Sequence, residues 1–377
     1  MDRKISFFCC ISILILLWGC KPISEPDSED IMTLKIEINK NKISFPLSEI
    51  AEKVDVIELE INDNSLIRSI KQVDILDNYY IIYDGSPGVL VYDSLGNFIR
   101  RIGKRGQGPG ELTSAVPCQV DYNKGTILFN LPKKMVIYDI NGKHITDIQH
   151  DLLLTLAPFY YLNDSIFYID ESWDMRDEYV RTVYFKIYNY SNGDFLDNIT
   201  DSFFVDKSEP LPGVSFNMNN RPFRHQDQVY FFFPIYDDEC YLYVYKNHQF
   251  EHFAKIILKS DILKLSITDS YVIAAHGYSR PAGEQPTLLT PDMIPALRSG
   301  RPTGRIWTIS YYVYDYKTGR SIDSYKGFID DFHHRNDTIP ITIMDGGEKF
   351  FYTREHDYSE ALGTEPNPTL YIGTFKK

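Results

Sequence analysis

The chain has 377 residues, room for one large or two ordinary domains, and 14% of them are aromatic, with 28 Tyr and 23 Phe. Aromatic and β-branched side chains fit a pleated, half-buried surface, so an all-β fold is expected. A formal charge of −13 and a pI near 5.2 argue against a duplex nucleic-acid binder, which must neutralise phosphates with a basic face.

The first residues read as an address. Arg3 and Lys4 form a short basic region, Ile5 to Trp18 an apolar core, and Gly19-Cys20 a small residue followed by cysteine. That core is shorter than the roughly 20 apolar residues that span a bilayer, so a cleaved signal over 1–19 is expected. Leu17-Trp18-Gly19-Cys20 resembles the lipobox of bacterial lipoproteins, in which the cysteine is lipidated and becomes the new N-terminus. The resemblance implies a membrane anchor on Cys20, in the cell envelope at the outer membrane. Residues 20–32, polar and acidic with two prolines, then serve as a tether to a single domain over 33–377. Cys9 and Cys10 lie in the signal, which leaves Cys118 and Cys240 in the domain, too few for a disulfide framework or a zinc site.

A repeat follows. Tyr92-Asp93-x-x-Gly96 recurs as Tyr138-Asp139-x-x-Gly142, and Tyr188-Asn189-Tyr190-x-x-Gly193 and Tyr314-Asp315-Tyr316-x-x-Gly319 carry one extra residue. The first two turns are 46 residues apart by number (92 and 138), a propeller-blade period. Two further strand signals precede each turn, giving units of four strands. In the first unit these are Arg68–Val73, Tyr79–Asp84, Val89–Asp93 and Phe98–Ile102; later units run over 116–148, 158–199, 222–257 and 262–325. The last stretch, 339–375, holds only about three strands, and Val54–Glu60 is expected to pair with its open edge and close the ring. An all-β, six-bladed β-propeller of four-stranded antiparallel blades is therefore predicted.

Ile102-Gly103-x-x-Gly106-x-Gly108-Pro109-Gly110-Glu111, then Pro117-x-x-Val120-Asp121 and Val136-x-Tyr138-Asp139-x-x-Gly142, resembles the NHL-type repeat. From Leu47-Ser48-Glu49-Ile50 onward the chain is similar to six-bladed β-propeller lipoproteins of Bacteroidetes type. The resemblance implies fold and envelope location, and little chemistry.

In such a blade the loops between second and third strands emerge on the same face as the crossings to the next blade. Chemically varied loops on a rigid scaffold are where binding resides, so this crossing face is the expected ligand or partner surface. Lys104, Arg105, Trp173, Arg176, Tyr236, Asp237, Tyr278, Arg305 and Trp307 lie in or beside its loops and are the candidate binding residues. Cations there suit an acidic ligand, and exposed aromatic faces suit a sugar or a partner's hot spot. Residues 276–305, with five prolines and four glycines, are expected to insert into blade five as a lid or rim.

Gly103 to Gly110 is no phosphate loop, since Glu111-Leu112-Thr113 leads into another strand where a Walker loop would have Lys-Ser/Thr before a helix. His333-His334 with Asp330 and Asp331 is the densest set of metal-ligand types, but neighbouring residues on an extended chain point apart. No metal or cofactor is expected, nor any nucleic acid. The leading expectation is a non-enzymatic binding or scaffold lipoprotein for a glycan, peptide or protein. The rival is a lyase or hydrolase acting on a polysaccharide or peptide through His276, His356, Arg280 and Arg354.

Overall fold

A computed structural model of the chain describes residues 31–36, 42–67, 69–149, 159–162, 164–174, 179–189, 194–205, 222–226, 228–232, 239–247, 249–258, 261–281, 305–356 and 366–377. Their regular structure is strand, apart from two single 3-10 turns, η1 (Leu47–Glu49) and η2 (Asp331–His333). Two strands precede the repeats, β1 (Met32–Ile36) and β2 (Ala51–Ile57). Blade one is β3 (Gln72–Leu76), β4 (Tyr79–Tyr83), β5 (Val89–Asp93) and β6 (Phe98–Ile102). The glycine-rich crossing holds a two-residue parallel ladder of β7 (Lys104–Arg105) and β8 (Glu111–Leu112). Blade two is β9 (Cys118–Asp121), β10 (Thr126–Leu131), β11 (Lys134–Asp139) and β12 (His144–Gln149). Blade three is β13 (Phe159–Leu162), β14 (Ser165–Asp174), β15 (Tyr179–Asn189) and β16 (Phe195–Val205). Blade four is β17 (Phe223–His225), β18 (Gln228–Phe232), β19 (Glu239–Lys246) and β20 (Gln249–Leu258). Blade five is β21 (Asp261–Ile267), β22 (Tyr271–Pro281), β23 (Arg305–Asp315) and β24 (Ser321–Ser324). A small hairpin, β25 (Phe328–Ile329) with β26 (Thr338–Ile339), leads to β27 (Thr342–Ile343), β28 (Lys349–Arg354) and β29 (Thr369–Phe375) of blade six.

Blade six has the order β2-β29-β28-β27, so the N-terminal strand is its outermost member and closes a six-bladed propeller. The pairing runs from Ala51 opposite Phe375 to Ile57 opposite Leu370. The closing strand thus lies three residues before the predicted Val54–Glu60. Glu60 has already left the sheet, donating its amide to the Gly96 carbonyl of blade one at 2.8 Å. The first strand of blade one is likewise displaced from Arg68–Val73 to Gln72–Leu76. In blade five the ladder of β22 with β23 continues to Pro281 opposite Arg305. The ends of the expected 276–305 insertion are therefore strand, and its remainder, 282–304, lies outside the described residues.

The repeated Tyr-Asp-x-x-Gly turn has a clear physical cause. Asp93 accepts the amides of Leu95 and Asn97, both at 2.9 Å, while Gly96 takes a φ of +88° that an L side chain would resist. Asp139 accepts the Lys143 amide at 2.8 Å, and Asp315 accepts that of Lys317 at 2.8 Å. The tyrosine just before three of these turns, Tyr92, Tyr138 and Tyr188, sits at a break in strand register. Such a bulge re-aims the side chain. Tyr92 uses it to donate its hydroxyl to the Ser65 carbonyl at 3.0 Å, and Tyr138 donates to the Gly110 carbonyl. Each of these tyrosines therefore pins the crossing that enters its own blade.

The cores lie between blades. One cluster joins blades one and two through Val91, Ile102, Val120 and Phe129; another joins blades three and four, where the rings of Phe185 and Phe231 stack. Cys118 and Cys240 are buried on different blades and are not joined in a disulfide.

The N-terminal segment is a strap outside blades four, five and six. β1 adds to blade four as a fifth strand, parallel to β20, with Leu34 and Ile36 wholly buried. Further on, the Ile329 amide donates to the Phe45 carbonyl at 2.8 Å and the Phe45 amide to the Ser324 hydroxyl at 2.9 Å. The Ser48 amide then donates to Asp331 at 3.0 Å, and Leu47 and Ile50 enter the core of blades five and six.

Candidate ligand site on the propeller axis

The first strand of each blade faces the axis, and each blade brings at least one polar side chain to it. Blade one supplies Asp74 from β3 and blade two Tyr122, just after β9; blade three supplies Tyr160 from β13 and blade four Arg224 from β17. Blade five supplies Lys264 from β21 and blade six Asp345, just after β27. Their contacts cross the ring. Tyr160 donates its hydroxyl to both oxygens of Asp345, at 2.8 and 2.7 Å, joining blades three and six, which stand opposite one another. The guanidinium of Arg224 lies over the Tyr122 ring at 4.5 Å and 3.8 Å from Asp345. Tyr122 donates to Asp74 at 3.3 Å, and the Gln72 amide donates both to Asp74 at 2.6 Å and to the Cys118 carbonyl at 2.9 Å. Lys264 donates to the Ile343 carbonyl at 2.8 Å.

The electrostatics of this plug are uneven. Burial first, and then the charge of Asp345, push the Asp74 carboxyl up to about 7, against the hydrogen bonds of Gln72 and Tyr122. Burial also raises Asp345, although Arg224 and Tyr160 pull the other way. The phenols of Tyr122 and Tyr160 are held well above the ordinary tyrosine range, by burial and then by the neighbouring carboxylates.

Beside the plug is a cavity of about 360 Å³, lined by Tyr122, Arg224, Gln226, Asp345, Glu348 and Lys349 among others. Tyr122, Gln226 and Glu348 belong to turns between first and second strands, so the cavity opens on the turn face, opposite the crossing face. Arg224 and Asp345 keep 18% and 17% of their side chains exposed. His225 ties this mouth together, 3.4 Å from the Gly346 carbonyl and 3.5 Å from Asp269.

Of the residues singled out from the sequence, those described lie in other parts of the molecule. Lys104, 78% exposed, pairs with Glu111 at 3.0 Å, and Arg105 is exposed beside it. Trp173 is a strand position opposite Arg181; Tyr278, Arg280, Arg305 and Trp307 lie in the long β22–β23 ladder. Arg176, Tyr236, Asp237 and Cys20 lie outside the described residues. His276 is buried on β22 with its ring 3.3 Å from Asp323 of the outermost strand β24. His356 is exposed, with Nε2 2.7 Å from the Thr369 hydroxyl. Arg354 bonds Asp330 at 2.9 Å and Asp337 at 2.6 Å, and Asp330 also meets His333 at 2.8 Å. Burial opposes ionisation of Asp330, but the hydrogen bonds of His333 and Arg354 outweigh it and hold the carboxyl below its usual range. Among the described residues no group of three or more His, Cys, Asp or Glu side chains gathers as a metal site requires.

The axial residues escaped the sequence reading. Their signal was a polar side chain inside or at the end of the first strand of each unit, as in QVDIL, CQVDY, FRH and TIMD. Aligning the first strands by repeat, rather than scanning for catalytic spacings, exposes it.

Fold and site together define an all-β, six-bladed propeller closed by its N-terminal strand, with a polar plug across the axis. The family model described as "Domain of unknown function (DUF4934)" matches residues 31–371, and the chain belongs to that family. Among solved structures it is similar to a Bacteroides fragilis NCTC 9343 protein named as one expected to be exported. The identity is 14% and the TM-score 0.60, over 92% of this chain and 100% of that one. The WD40 domain of Neurospora crassa Pan2 is a more distant likeness, at 8% identity and TM-score 0.40 over 89% of this chain and 98% of that one. So is a gluconolactonase of Xanthomonas campestris, at 9% and 0.37 over 87% and 97%. At such identities the likeness extends to the fold alone. No curated protein matches the chain.

Proposed function

We propose that the protein is an exported lipoprotein of the cell envelope, anchored at the outer membrane through Cys20, that binds a polar ligand on the propeller axis without transforming it. What supports binding is the convergence of one polar side chain from each blade beside a cavity of about 360 Å³. An axis that needed only filling would take apolar side chains, because a buried charge costs several kcal/mol, of order 1–5, unless well paired. Export and anchoring rest on the basic, apolar and Gly-Cys order of the first twenty residues. The naming of the Bacteroides fragilis neighbour agrees with them. A larger partner would meet the crossing face, where Lys104, Arg105, Trp173, Tyr278, Arg305 and Trp307 belong to its loops and strand ends.

One observation favours the rival hydrolase or lyase. Asp74, its carboxyl raised to about 7, is buried behind the cavity and reaches it only through the Tyr122 hydroxyl at 3.3 Å, so an acid or base role would have to pass through that phenol. The two readings part in a single screen of glycans, peptides and small polar metabolites against the full mature chain, by calorimetry with mass spectrometry of each mixture. Saturable binding with the ligand recovered unchanged is expected, and a ligand recovered cleaved would establish the enzyme instead. For the anchor, Cys20→Ser should move the protein from the detergent-extractable membrane fraction to the soluble one and abolish fatty-acid labelling. Retention with undiminished labelling would refute lipidation at Cys20.

A further inference from the structure

The turn-face cavity carries both signs of charge in nearly equal measure. Arg224 and Lys349 line it beside Asp345 and Glu348. This balance disfavours a ligand of large net charge, because either sign would meet an equal number of like charges at short range.

The two innermost charged groups set the chemistry more narrowly. Arg224 and Asp345 stand 3.8 Å apart, beyond the 2.7–2.9 Å typical of a charge-assisted hydrogen bond, and both reach the cavity. Asp345 receives its hydrogen bonds from neutral donors, the Tyr160 phenol and the Gly346 backbone amide. A carboxylate offers about four acceptor positions, so it retains capacity toward the cavity. A ligand with one cationic donor and one anionic acceptor a few ångströms apart would meet both.

Resting on the reading of the axis as a binding site, we infer that this cavity takes a compact zwitterion, a free amino acid or short peptide with both termini free. Its ammonium group would lie against Asp345 and Glu348 and its carboxylate against Arg224 and Lys349. Neutral sugars offer hydroxyls to the same groups, but a hydroxyl does not neutralise a desolvated carboxylate, and an ammonium does. Burial raises the proton affinity of Asp345 even with Arg224 and Lys264 nearby, so a further cationic group in the cavity would favour its charged form.

The test is calorimetric titration of the full mature chain with glycylglycine, N-acetyl-glycylglycine, glycylglycinamide and maltose. Glycylglycine should bind, and removing either terminal charge should weaken binding by about 10-fold or more, the size expected when one partner of a desolvated charge pair is lost. Asp345→Asn should weaken glycylglycine to a similar extent. Because Asp345 also holds Tyr160, Glu348→Gln at the exposed edge of the cavity is the second variant, expected to weaken the dipeptide without lowering the melting temperature. Equal affinity for the free and capped peptides, binding of maltose alone, or no binding of glycylglycine would each overturn the inference. If glycylglycine fails while another compound from the wider screen binds, the binding reading survives without its zwitterion. If nothing in the screen binds, both fall.

Discussion

Deleting residues 42–57 should leave a protein with no cooperative unfolding transition. The segment carries Leu47, Ile50, Ala51 and Ile57, all buried, and the whole outer strand of blade six. Burying a large aliphatic side chain contributes about 1.5–3 kcal/mol, so Leu47, Ile50 and Ile57 together reach roughly 5–9 kcal/mol as an upper bound. That rivals the 5–15 kcal/mol of total stability typical of a domain. Without β2, moreover, β29 presents an open edge, and Leu370 and Ile372 lose their cover. Leu34→Ala in β1 is the control. It should cost about 2–5 kcal/mol while preserving cooperativity, because blade four keeps its own four strands. Urea unfolding followed by near-ultraviolet circular dichroism reads both. A sharp, native-like transition in the deletion variant would mean that the ring closes without its N-terminal strand.

Asp74→Asn should flatten the dependence of stability on pH between about 4 and about 7 and stabilise the protein above that window. The carboxyl of Asp74 is raised from 3.8 to about 7 in the folded state, mainly by burial. Between those values the native protein holds a proton that the unfolded chain has released. Stability therefore falls as pH rises through the window and is lowest above it. A shift of about three pH units corresponds to roughly 4 kcal/mol at most. Asparagine keeps the size of the side chain and can still meet Gln72 and Tyr122, so the variant should exceed the wild type at pH 8. Asp345, raised in the same direction, should leave a smaller residual slope. Urea titrations at pH 5, 6, 7 and 8 decide it. A wild-type protein equally stable at all four would show that Asp74 ionises freely.

The repeat was legible because its turns require particular chemistry. An aspartate must accept amides across the turn, and a glycine must take positive φ, as at Asp93 and Gly96. Ring closure followed from counting, since blade six lacked one strand and Val54 to Glu60 had no other place. Its bounds did not, because the alternation in VDVIELE changes phase between Val56 and Ile57, so the pattern alone does not say which apolar residues face the core. β1 was invisible for a different reason. MTLKI carries no turn signal, and its parallel place beside β20 depends on a strand more than 200 residues away, with Met32 opposite Ala254. The axial site was hidden because a polar residue within a strand ordinarily signals a solvent-facing position. Only the closed ring brings Tyr160 of blade three to Asp345 of blade six and Tyr122 of blade two to Asp74 of blade one. The described candidates among the cations and aromatics, such as Lys104 and Arg105, occupy other parts of the fold, and His276 is engaged with Asp323 inside blade five.

The pairing of Ala51 with Phe375 also sets a clock. At about 5–20 residues per second, the ribosome delivers β29 roughly 15–65 s after β2. Until β29 is delivered, β2 lacks the strand it pairs with in blade six. Closure is thus a late event in the life of each molecule, and the fold in effect verifies that translation has run through its final strand.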